Sequence, residues 1–528
     1  MSQADGCVLA VDAGTTGIRT LAVDQSGAVV DLAYRELTQH FPRPGWVEHD
    51  AQEIWRHVAD TLVEVAGRQR LEGRAVAAVG VTNQRETVVA WDRRRGHPRH
   101  RALVWQDRRT AGRCGELAEA GHLPLVRQAT GLMLDPYFSA TKMAWLLGPG
   151  AVEPGPDLVL GTVDSWVLWN LTGGVDGGVV VTDPTNACRT LLFDIGRLAW
   201  SAELCDLFGV PPGALAEVRP SCGRLGTVGG ELAAVAGLGG VPVSGMAGDQ
   251  QAALFGQACF APGMAKVTYG TGSFVLLNVG AQQPEPVEGL VTTVAWDLGG
   301  RGSPAADSGW ADDGGSVADG GSVAYALEGS VFVTGAAIQW LRDGLGVIGQ
   351  AAEVGPLAAS VPDSGGVIVV PAFTGMGSPR WDPRARGAIV GLTRGAGRAQ
   401  LARAVVEAMA FQVRDVVDAM VAGCGRRAAG LRADGGASAM ELLLQLQADQ
   451  LQVPVARPTT TETTALGAAT LAGLAEGMWA SLDELAGLWH LDVERTPTVP
   501  AEVADAAHQG WLRAVQRALG WALDDTQR

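Results

Sequence analysis

Residues 7–24, CVLAVDAGTTGIRTLAVD, decide the fold. Cys7–Ala13 is a short apolar run of the kind that forms a buried strand, and the glycine-flanked turn Gly14–Gly17 interrupts it. A second apolar run, Ile18–Asp24, follows at once, and Gln25–Gly27 then turns the chain into a third strand. The pattern predicts a strand–turn–strand meander with glycine turns.

A similar pattern recurs halfway along the chain. Lys266–Tyr269 leads into Gly270–Gly272, which has the sequence Gly-Thr-Gly, and Phe274–Val279 is another strand candidate. Two hairpins can share a glycine–threonine turn by chance. With the strand context, however, the repeat predicts two related α/β halves that face each other across a cleft, a natural place for a nucleotide.

Further along, other segments carry the periodicity of helices and strands. Val76–Val81 predicts a buried strand, Glu53–Arg68 a helix, and Gln509–Ala522 a last helix. The C-terminal region predicts three more helices, at Gln400–Met420, Ala439–Gln450 and Ala465–Glu476. The segment 299–322 is rich in Gly, Asp and Ser, which predicts a flexible surface insertion.

Composition favours a folded protein of more than one domain. Of the 528 residues, 47% are hydrophobic and 18% are charged, whereas single cores usually stop growing near ~250–300 residues. The formal net charge of −16 disfavours nucleic acid and anionic membrane surfaces as partners. It does not exclude a phosphorylated ligand, because backbone amides in a glycine turn bind phosphate locally.

Cysteine usage and hydropathy point to the cytoplasm. The seven cysteines are scattered and contain no C-x-x-C, so neither a disulfide framework nor a zinc site is indicated. No N-terminal basic stretch precedes a long apolar run, and no run approaches the ~18–20 residues that span a bilayer. The sequence therefore predicts no signal peptide, no membrane insertion and a cytoplasmic location, where ATP is available.

The first candidate site is the turn after the first strand. The chain has no G-x-x-x-x-G-K-[ST] motif, so a bound ATP would need another phosphate cradle. Amides and hydroxyls of Gly14–Thr16 could meet phosphate oxygens, while Asp12 at the strand end could hold hydrated magnesium. A polar hairpin turn without a ligand is the alternative.

The second candidate site is Thr82–Thr87, directly after the strand Val76–Val81. Loops that leave strand ends commonly build sites, and the adjacent Arg85 and Glu86 offer donors and acceptors that suit vicinal hydroxyls. The alternative is a surface ion pair, which is common and contributes little energy.

The third candidate site is Gly248–Gln251, which follows a predicted strand at Val241–Ser244. Asp249 could accept the proton of an attacking hydroxyl. A helix N-cap is the alternative interpretation of the same aspartate.

These motifs together resemble the FGGY carbohydrate kinases, and within them the branch that phosphorylates glycerol. The resemblance extends from about Val8 to Trp511. Two long segments are similar to the family signatures, namely Tyr137–Trp145 and the run from Gly387 to Glu407. The other matching segments are Pro44–Asp50, Thr82–Thr87, Gly245–Gly256 and Pro371–Gly395.

The resemblance implies two actin-like, ribonuclease-H-like domains, at residues 1–258 and 259–528, with a cleft between them. It also implies in-line transfer of the γ-phosphoryl group of ATP to a terminal hydroxyl of glycerol. Asp249 is then the general base, Asp12 organises Mg²⁺, and homodimers or homotetramers are usual. The residues implied for glycerol are Arg85, Glu86, Trp105, Tyr137, Asp249, Gln250 and Phe274. Those implied for the phosphates are Thr15, Thr16, Arg19 and Thr271, with Gly335, Gln339 and Gly436 nearer the nucleoside.

The sequence also departs from the family pattern. Ala13 replaces a glutamine, Gly17-Ile18 replaces a serine pair, and Met440 stands where an asparagine approaches the adenine. The regulatory segments of some bacterial members are not matched in 229–240 or near 497–509, so no regulation is carried over. Two other interpretations stay open: a kinase of this family acting on another small polyol or ketose, and an actin-like protein that senses glycerol without turning it over.

Overall fold

The computed structural model describes residues 6–300 and 323–522. The predicted surface insertion therefore lies outside the described residues, apart from Gly299 and Gly300. Within the described ranges, no helix is both long enough and apolar enough to cross a membrane.

A mixed six-stranded sheet forms the centre of the first half. Strand Gly6–Ala13 pairs antiparallel with Gly17–Asp24 and parallel with Ala75–Asn83. Its side chains alternate between two cores: Leu9 and Val11 belong to the core beneath helix Ala51–Leu71, while Val8 and Ala10 face the other side. In spatial order the strands of this sheet are Cys222–Thr227, Pro242–Gly248, Ala75–Asn83, Gly6–Ala13, Gly17–Asp24 and Val29–Glu36.

The second half repeats this arrangement. Strand Met264–Tyr269 pairs antiparallel with Ser273–Gly280 and parallel with Gly430–Asp434, as its counterpart does in the first sheet. The predicted hairpin and its repeat are thus confirmed. In spatial order the strands of this second, seven-stranded sheet are Val291–Asp297, Val323–Val331, Ser273–Gly280, Met264–Tyr269, Gly430–Asp434, Val455–Pro458 and Leu491–Arg495.

Helices cover both sheets, and a small sheet of Glu48–His49, Ala102–Leu103, Val88–Asp92 and Leu158–Thr162 extends the first half. The helices of the first half are Ala51–Leu71, Ala111–Glu119, Leu123–Thr130, Ser139–Leu147, Val163–Leu171, Pro184–Ala187, Ala202–Phe208, Gly230–Ala236 and Asp249–Gly256. Those of the second half are Gly335–Asp343, Val354–Ala359, Arg398–Cys424, Glu441–Leu451, Thr463–Ala475, Leu482–Gly487 and Ala501–Ala518.

Two of the predicted helix boundaries need correction. The last helix begins at Ala501, not near Gln509, and it ends at Ala518 because Leu519 has an extended backbone (φ −67°, ψ 141°). The helix expected from Ala439 begins at Glu441, because a short 3-10 turn occupies Gly436–Ala439. Both errors concern helix ends, where turns and caps compete with the apolar period.

Helix Thr463–Ala475 ties the two halves together. In the chain it lies between two strands of the second sheet, Val455–Pro458 and Leu491–Arg495, yet it packs on the first sheet and on helix Asp249–Gly256. Glycine makes the close approach possible: a Cβ atom at Gly467 would lie 1.9 Å from the Ala252 carbonyl oxygen, and one at Gly80 would lie 2.1 Å from that of Ala468. This packing fixes the start of helix Asp249–Gly256 relative to both sheets.

Candidate active site

The glycine–threonine turns end the central strands of the two sheets. In the first turn, the Gly14 amide donates to the Gly17 carbonyl (3.1 Å). Thr15 is held by a hydrogen bond from Trp105 Nε1 to its hydroxyl (2.9 Å). In the second, the Gly270 amide donates to the Gly272 carbonyl (2.9 Å). Both turns are therefore formed by their own backbone bonds, whether or not a phosphate is present.

Asp12 lies at the end of the first central strand, beside Arg19. The side chains of the two residues approach to 3.4 Å, and Arg19 also pairs with Glu462 from the second half (2.5 Å). Burial raises the pKa of Asp12 to about 6, and the charges of Asp249 and Glu462 add to this effect while Arg19 opposes it. Asp12 is thus a buried carboxylate close to two other carboxylates, Asp249 and Glu462, and to one arginine. A bound cation would stabilise its ionised form.

Arg85 and Glu86 are buried, with 2% and 1% of their surfaces exposed. The alternative of a surface ion pair is therefore wrong. The Arg85 guanidinium donates to both oxygens of Glu328 (2.6 and 3.0 Å) and approaches Asp249 through Nε (3.0 Å). Glu86 accepts a hydrogen bond from Arg189 Nε (2.7 Å).

The backbone at Glu86 is strained. Its φ is +60°, in the left-handed region that residues other than glycine rarely adopt. The Thr87 amide donates to the Arg85 carbonyl across it (2.7 Å), and the Ser139 hydroxyl donates to the Glu86 carbonyl (3.0 Å). Such strain persists only where surrounding contacts impose it, and it is concentrated at functional sites.

Three aromatic side chains lie near the buried Arg85 and Glu86. The Trp105 ring meets that of Tyr137 edge-on at 5.5 Å between centroids and that of Phe274 at 6.5 Å. Phe274 comes from the second half, so the aromatic wall crosses the cleft. Lys142 fixes the segment that carries Tyr137, because its ammonium group donates to the carbonyls of three consecutive residues, Pro136, Tyr137 and Phe138 (2.7–2.8 Å).

Asp249 is the first residue of helix Asp249–Gly256, and Gly248 occupies the N-cap position. The N-cap interpretation of Asp249 is therefore wrong. Its Oδ1 accepts a hydrogen bond from the backbone N–H of Gln250 (2.7 Å), and 30% of the surface of its side chain is exposed. Among buried carboxylates and arginines, Asp249 is thus a carboxylate that a ligand in the cleft can still reach.

Gln250 faces a buried lysine. Its amide oxygen accepts a hydrogen bond from Lys266, whose ammonium group also donates to the Thr268 hydroxyl (2.9 Å). Burial lowers the pKa of Lys266 to about 8, against the opposing charges of Asp434 and Asp249. The oxygen of Gln250 is therefore engaged within the protein, which leaves its amide NH₂ for contact with a ligand.

The residues expected near the nucleoside gather around the second turn. The Thr271 carbonyl accepts from the amides of Thr334 and Ala336 (both 3.0 Å), and the Gly335 amide donates to the Gly270 carbonyl (3.1 Å). Gln339 lies one helical turn further along. All seven residues implied for the phosphates and the nucleoside keep accessible surface, namely Thr15, Thr16, Arg19, Thr271, Gly335, Gln339 and Gly436.

Gly436 begins the 3-10 turn that follows strand Gly430–Asp434. The preceding Gly435 has φ +80°, and a Cβ atom there would lie 2.5 Å from the Tyr269 carbonyl oxygen. Gly436 is thereby held next to the end of the second central strand. Met440 is half-buried and packs against the second core.

Arg189, Glu328 and Lys266 are part of this site, although no sequence motif indicated them. The rarity of lysine was the available signal for Lys266, since the chain contains only Lys142 and Lys266. Glu328 lies in an ordinary apolar strand of the second half, where nothing in the local sequence sets it apart.

Comparison with known proteins identifies one family over both halves of the chain. Residues 7–256 match the model for the N-terminal domain of the FGGY family of carbohydrate kinases, and residues 265–476 match that for its C-terminal domain. A glycerol kinase of Dechloromonas aromatica is 49% identical over 525 residues, covering 98% of this chain and 99% of that protein. A glycerol kinase of Trichlorobacter lovleyi is 50% identical over 519 residues, with the same coverage. The crystal structure of Plasmodium falciparum glycerol kinase with ADP aligns with a TM-score of 0.88 and 32% identity, over 98% of this chain and 99% of that one.

Proposed function

The chain belongs to the FGGY family of carbohydrate kinases, and we infer that it transfers the γ-phosphoryl group of ATP to a terminal hydroxyl of glycerol, the reaction of EC 2.7.1.30. The observation that carries this inference is the near-complete match to glycerol kinases at 49–50% identity. The expected fold class, two actin-like α/β domains, is confirmed by the structural match.

The acceptor site suits a small neutral polyol. Arg85, Glu86 and Asp249 provide donors and acceptors on one side, and the aromatic wall of Trp105 and Phe274 provides an apolar surface on the other. Glycerol has the same two characters, with three hydroxyls on a short carbon chain. We assign Tyr137 and Gln250 to the same substrate, because the hydroxyl of one and the amide NH₂ of the other border the polar side.

Asp249 is the proposed general base. Its carboxylate is reachable from the cleft and is oriented by Arg85 and by the Gln250 amide. In phosphoryl transfer the protein contributes mainly position and charge stabilisation. Asp249 therefore needs only to orient the terminal hydroxyl and accept its proton as the bond to phosphorus forms.

The phosphates of ATP are assigned to the two glycine–threonine turns, with Thr15, Thr16, Arg19 and Thr271 as their ligands. Gly335, Gln339 and Gly436 are assigned to the nucleoside. Asp12 fits Mg²⁺, which proteins commonly bind through one or two carboxylates together with substrate phosphates. Bound there, Mg²⁺ would neutralise phosphate charge. Within the described residues no group of three or more potential metal-ligating side chains exists.

Three further proposals accompany this function, on the location of the protein, its oligomeric state and its domain boundaries. We propose a cytoplasmic location, because the reaction consumes ATP, and a homodimer or homotetramer, as is usual in the family. We also propose domains at residues 1–258 and 259–528, with helix Thr463–Ala475 packed across the division.

The test is ADP release with Mg-ATP in the presence of glycerol, xylulose, gluconate or no acceptor. We expect turnover with glycerol, and a fall of about 10²–10⁴-fold in kcat for Asp249→Asn, the usual contribution of a general base. Asp418→Asn, on an exposed face of helix Arg398–Cys424, is the matched control and should retain activity. Turnover with another acceptor but not with glycerol would refute glycerol as the substrate. Glycerol binding without ADP release would instead establish a sensor.

A further inference from the structure

Glu328 is a buried carboxylate of the acceptor site that no motif of the sequence includes. It lies in strand Val323–Val331 of the second half and has no exposed surface. Its Oε2 accepts from Arg85 Nη1 at 2.6 Å, and its Oε1 accepts from Nη2 at 3.0 Å. This two-point pairing fixes the plane of a guanidinium as well as its position.

Glu328 also joins Arg85 to Arg189. Its Oε1 accepts a second hydrogen bond, from Arg189 Nη2 (3.0 Å), and Arg189 Nε donates to Glu86 (2.7 Å). Burial opposes the charge on Glu328, but Arg189 and Arg85 lower its pKa to about 2. The carboxylate is therefore ionised throughout the neutral range. It contacts Arg85 directly and is connected to Glu86 through Arg189.

Nearly all the donors of Arg85 are used in this arrangement. An arginine has five N–H groups. Two go to Glu328, another at Nη1 goes to Gln251 Oε1 (3.0 Å), and Nε faces Asp249 (3.0 Å). The last, at Nη2, points toward the Tyr137 hydroxyl at 3.5 Å, the limit of a hydrogen bond. That group is the one left to meet a substrate hydroxyl, and its direction is set by the bonds to Glu328.

We propose that Glu328 is a positioning residue for the acceptor site: from the second half of the chain it holds Arg85 in the orientation that presents its remaining N–H to glycerol and its Nε to Asp249. This inference rests on the proposed function, since it takes glycerol as the acceptor. Glu328 and Arg85 belong to different halves of the chain. The acceptor site is therefore complete only when the two halves are close enough for these side chains to pair.

The test is Glu328→Gln, which keeps the shape of the side chain but removes its charge and one acceptor. Loss of a charged hydrogen bond should raise KM for glycerol about 10- to 100-fold, with KM for ATP unchanged within about twofold. Asp415→Asn is the matched control. Asp415 is also a buried carboxylate of the second half, paired with Arg380 and His508. This variant should melt at a lower temperature without a change in KM for glycerol.

A double-mutant cycle separates positioning from a general structural role. If Glu328 acts through Arg85, Glu328→Gln should lower kcat/KM for glycerol by less than about threefold in an Arg85→Met background, since interacting residues are not additive. Equal losses in both backgrounds would overturn the proposal, as would an unchanged KM for glycerol in Glu328→Gln.

Circular dichroism would check that each variant is folded. Should Glu328→Gln fail to fold, Glu328→Asp keeps the charge and shortens the side chain by one methylene. It should raise KM for glycerol at least about threefold, because a shorter side chain cannot make both bonds to Arg85; an unchanged KM would overturn the proposal. Absence of glycerol turnover in the native chain would refute the proposed function instead, so the two failures are distinguishable.

Discussion

Replacing Asp12 by Asn should stabilise the unliganded protein while abolishing its activity. Burial raises the pKa of Asp12 from 3.8 to about 6, so the ionised side chain opposes folding. One pKa unit corresponds to about 1.4 kcal/mol, which gives about 3 kcal/mol for this group. Asn has nearly the same shape and no charge, and it leaves Arg19 its pairing with Glu462.

The sign of this effect depends on pH. The folded state binds the proton of Asp12 more tightly than the unfolded state does. Stability contributed by this group is therefore lost as pH rises from about 4 to about 6. Above that window the free energy of unfolding of the variant should exceed that of the native protein by about 3 kcal/mol. At pH 4.5 the same two pKa values leave a difference of only about 1 kcal/mol.

Thermal unfolding at pH 7.5 and pH 4.5 measures both quantities. A change of 1 kcal/mol shifts Tm by about 2 °C for a unit of roughly 250 residues, so Asp12→Asn should melt about 6 °C higher at pH 7.5 and about 2 °C higher at pH 4.5. Mg-ATP should then raise the Tm of the native protein by more than that of the variant, because a ligand stabilises the state that binds it and the variant lacks the carboxylate assigned to Mg²⁺. The exposed Asp418→Asn should change none of these values.

Two results would refute this reasoning. If Asp12→Asn were no more stable than the native protein at pH 7.5, burial would not be opposing the charge of Asp12. If the gain were the same at both pH values, it would arise from packing and not from ionisation. An active Asp12→Asn variant would separately refute the assignment of Asp12 to Mg²⁺.

Two other substitutions test how the site is supported. Lys142→Met removes three hydrogen bonds to the segment of Tyr137; it should lower the free energy of unfolding by about 1–3 kcal/mol and raise KM for glycerol, both measurable by denaturation and steady-state kinetics. Gly467→Ala places a methyl group 1.9 Å from the Ala252 carbonyl oxygen and should cost about 1–3 kcal/mol in urea unfolding. Gly487→Ala has no atom within 4 Å of its new methyl group and should change stability by less than about 0.5 kcal/mol.

Much of the fold could be predicted because the signals are local. A short apolar run and a glycine–threonine turn are properties of a few adjacent residues, so the pattern alone predicts the strand Cys7–Ala13 and its repeat at Lys266–Tyr269. Helix ends were less predictable, as at Ala501 and Glu441. There the apolar period continues past the residue at which turns and caps interrupt the helix.

The sequence by itself determined the family, the paired hairpins, and the candidate residues that stand in recognisable runs, such as Asp12, Arg85 and Asp249. Their chemistry is visible locally because Asp12 lies at the end of a strand, Arg85 follows one and Asp249 begins a helix. Only the tertiary structure decided what surrounds them. Glu328 and Arg85 are separated by 243 positions in the chain, and their pairing depends on how two sheets pack across a cleft. No local pattern encodes such a contact, because the hydrogen-bond partners of Glu328, namely Arg85 and Arg189, come from the other half of the molecule.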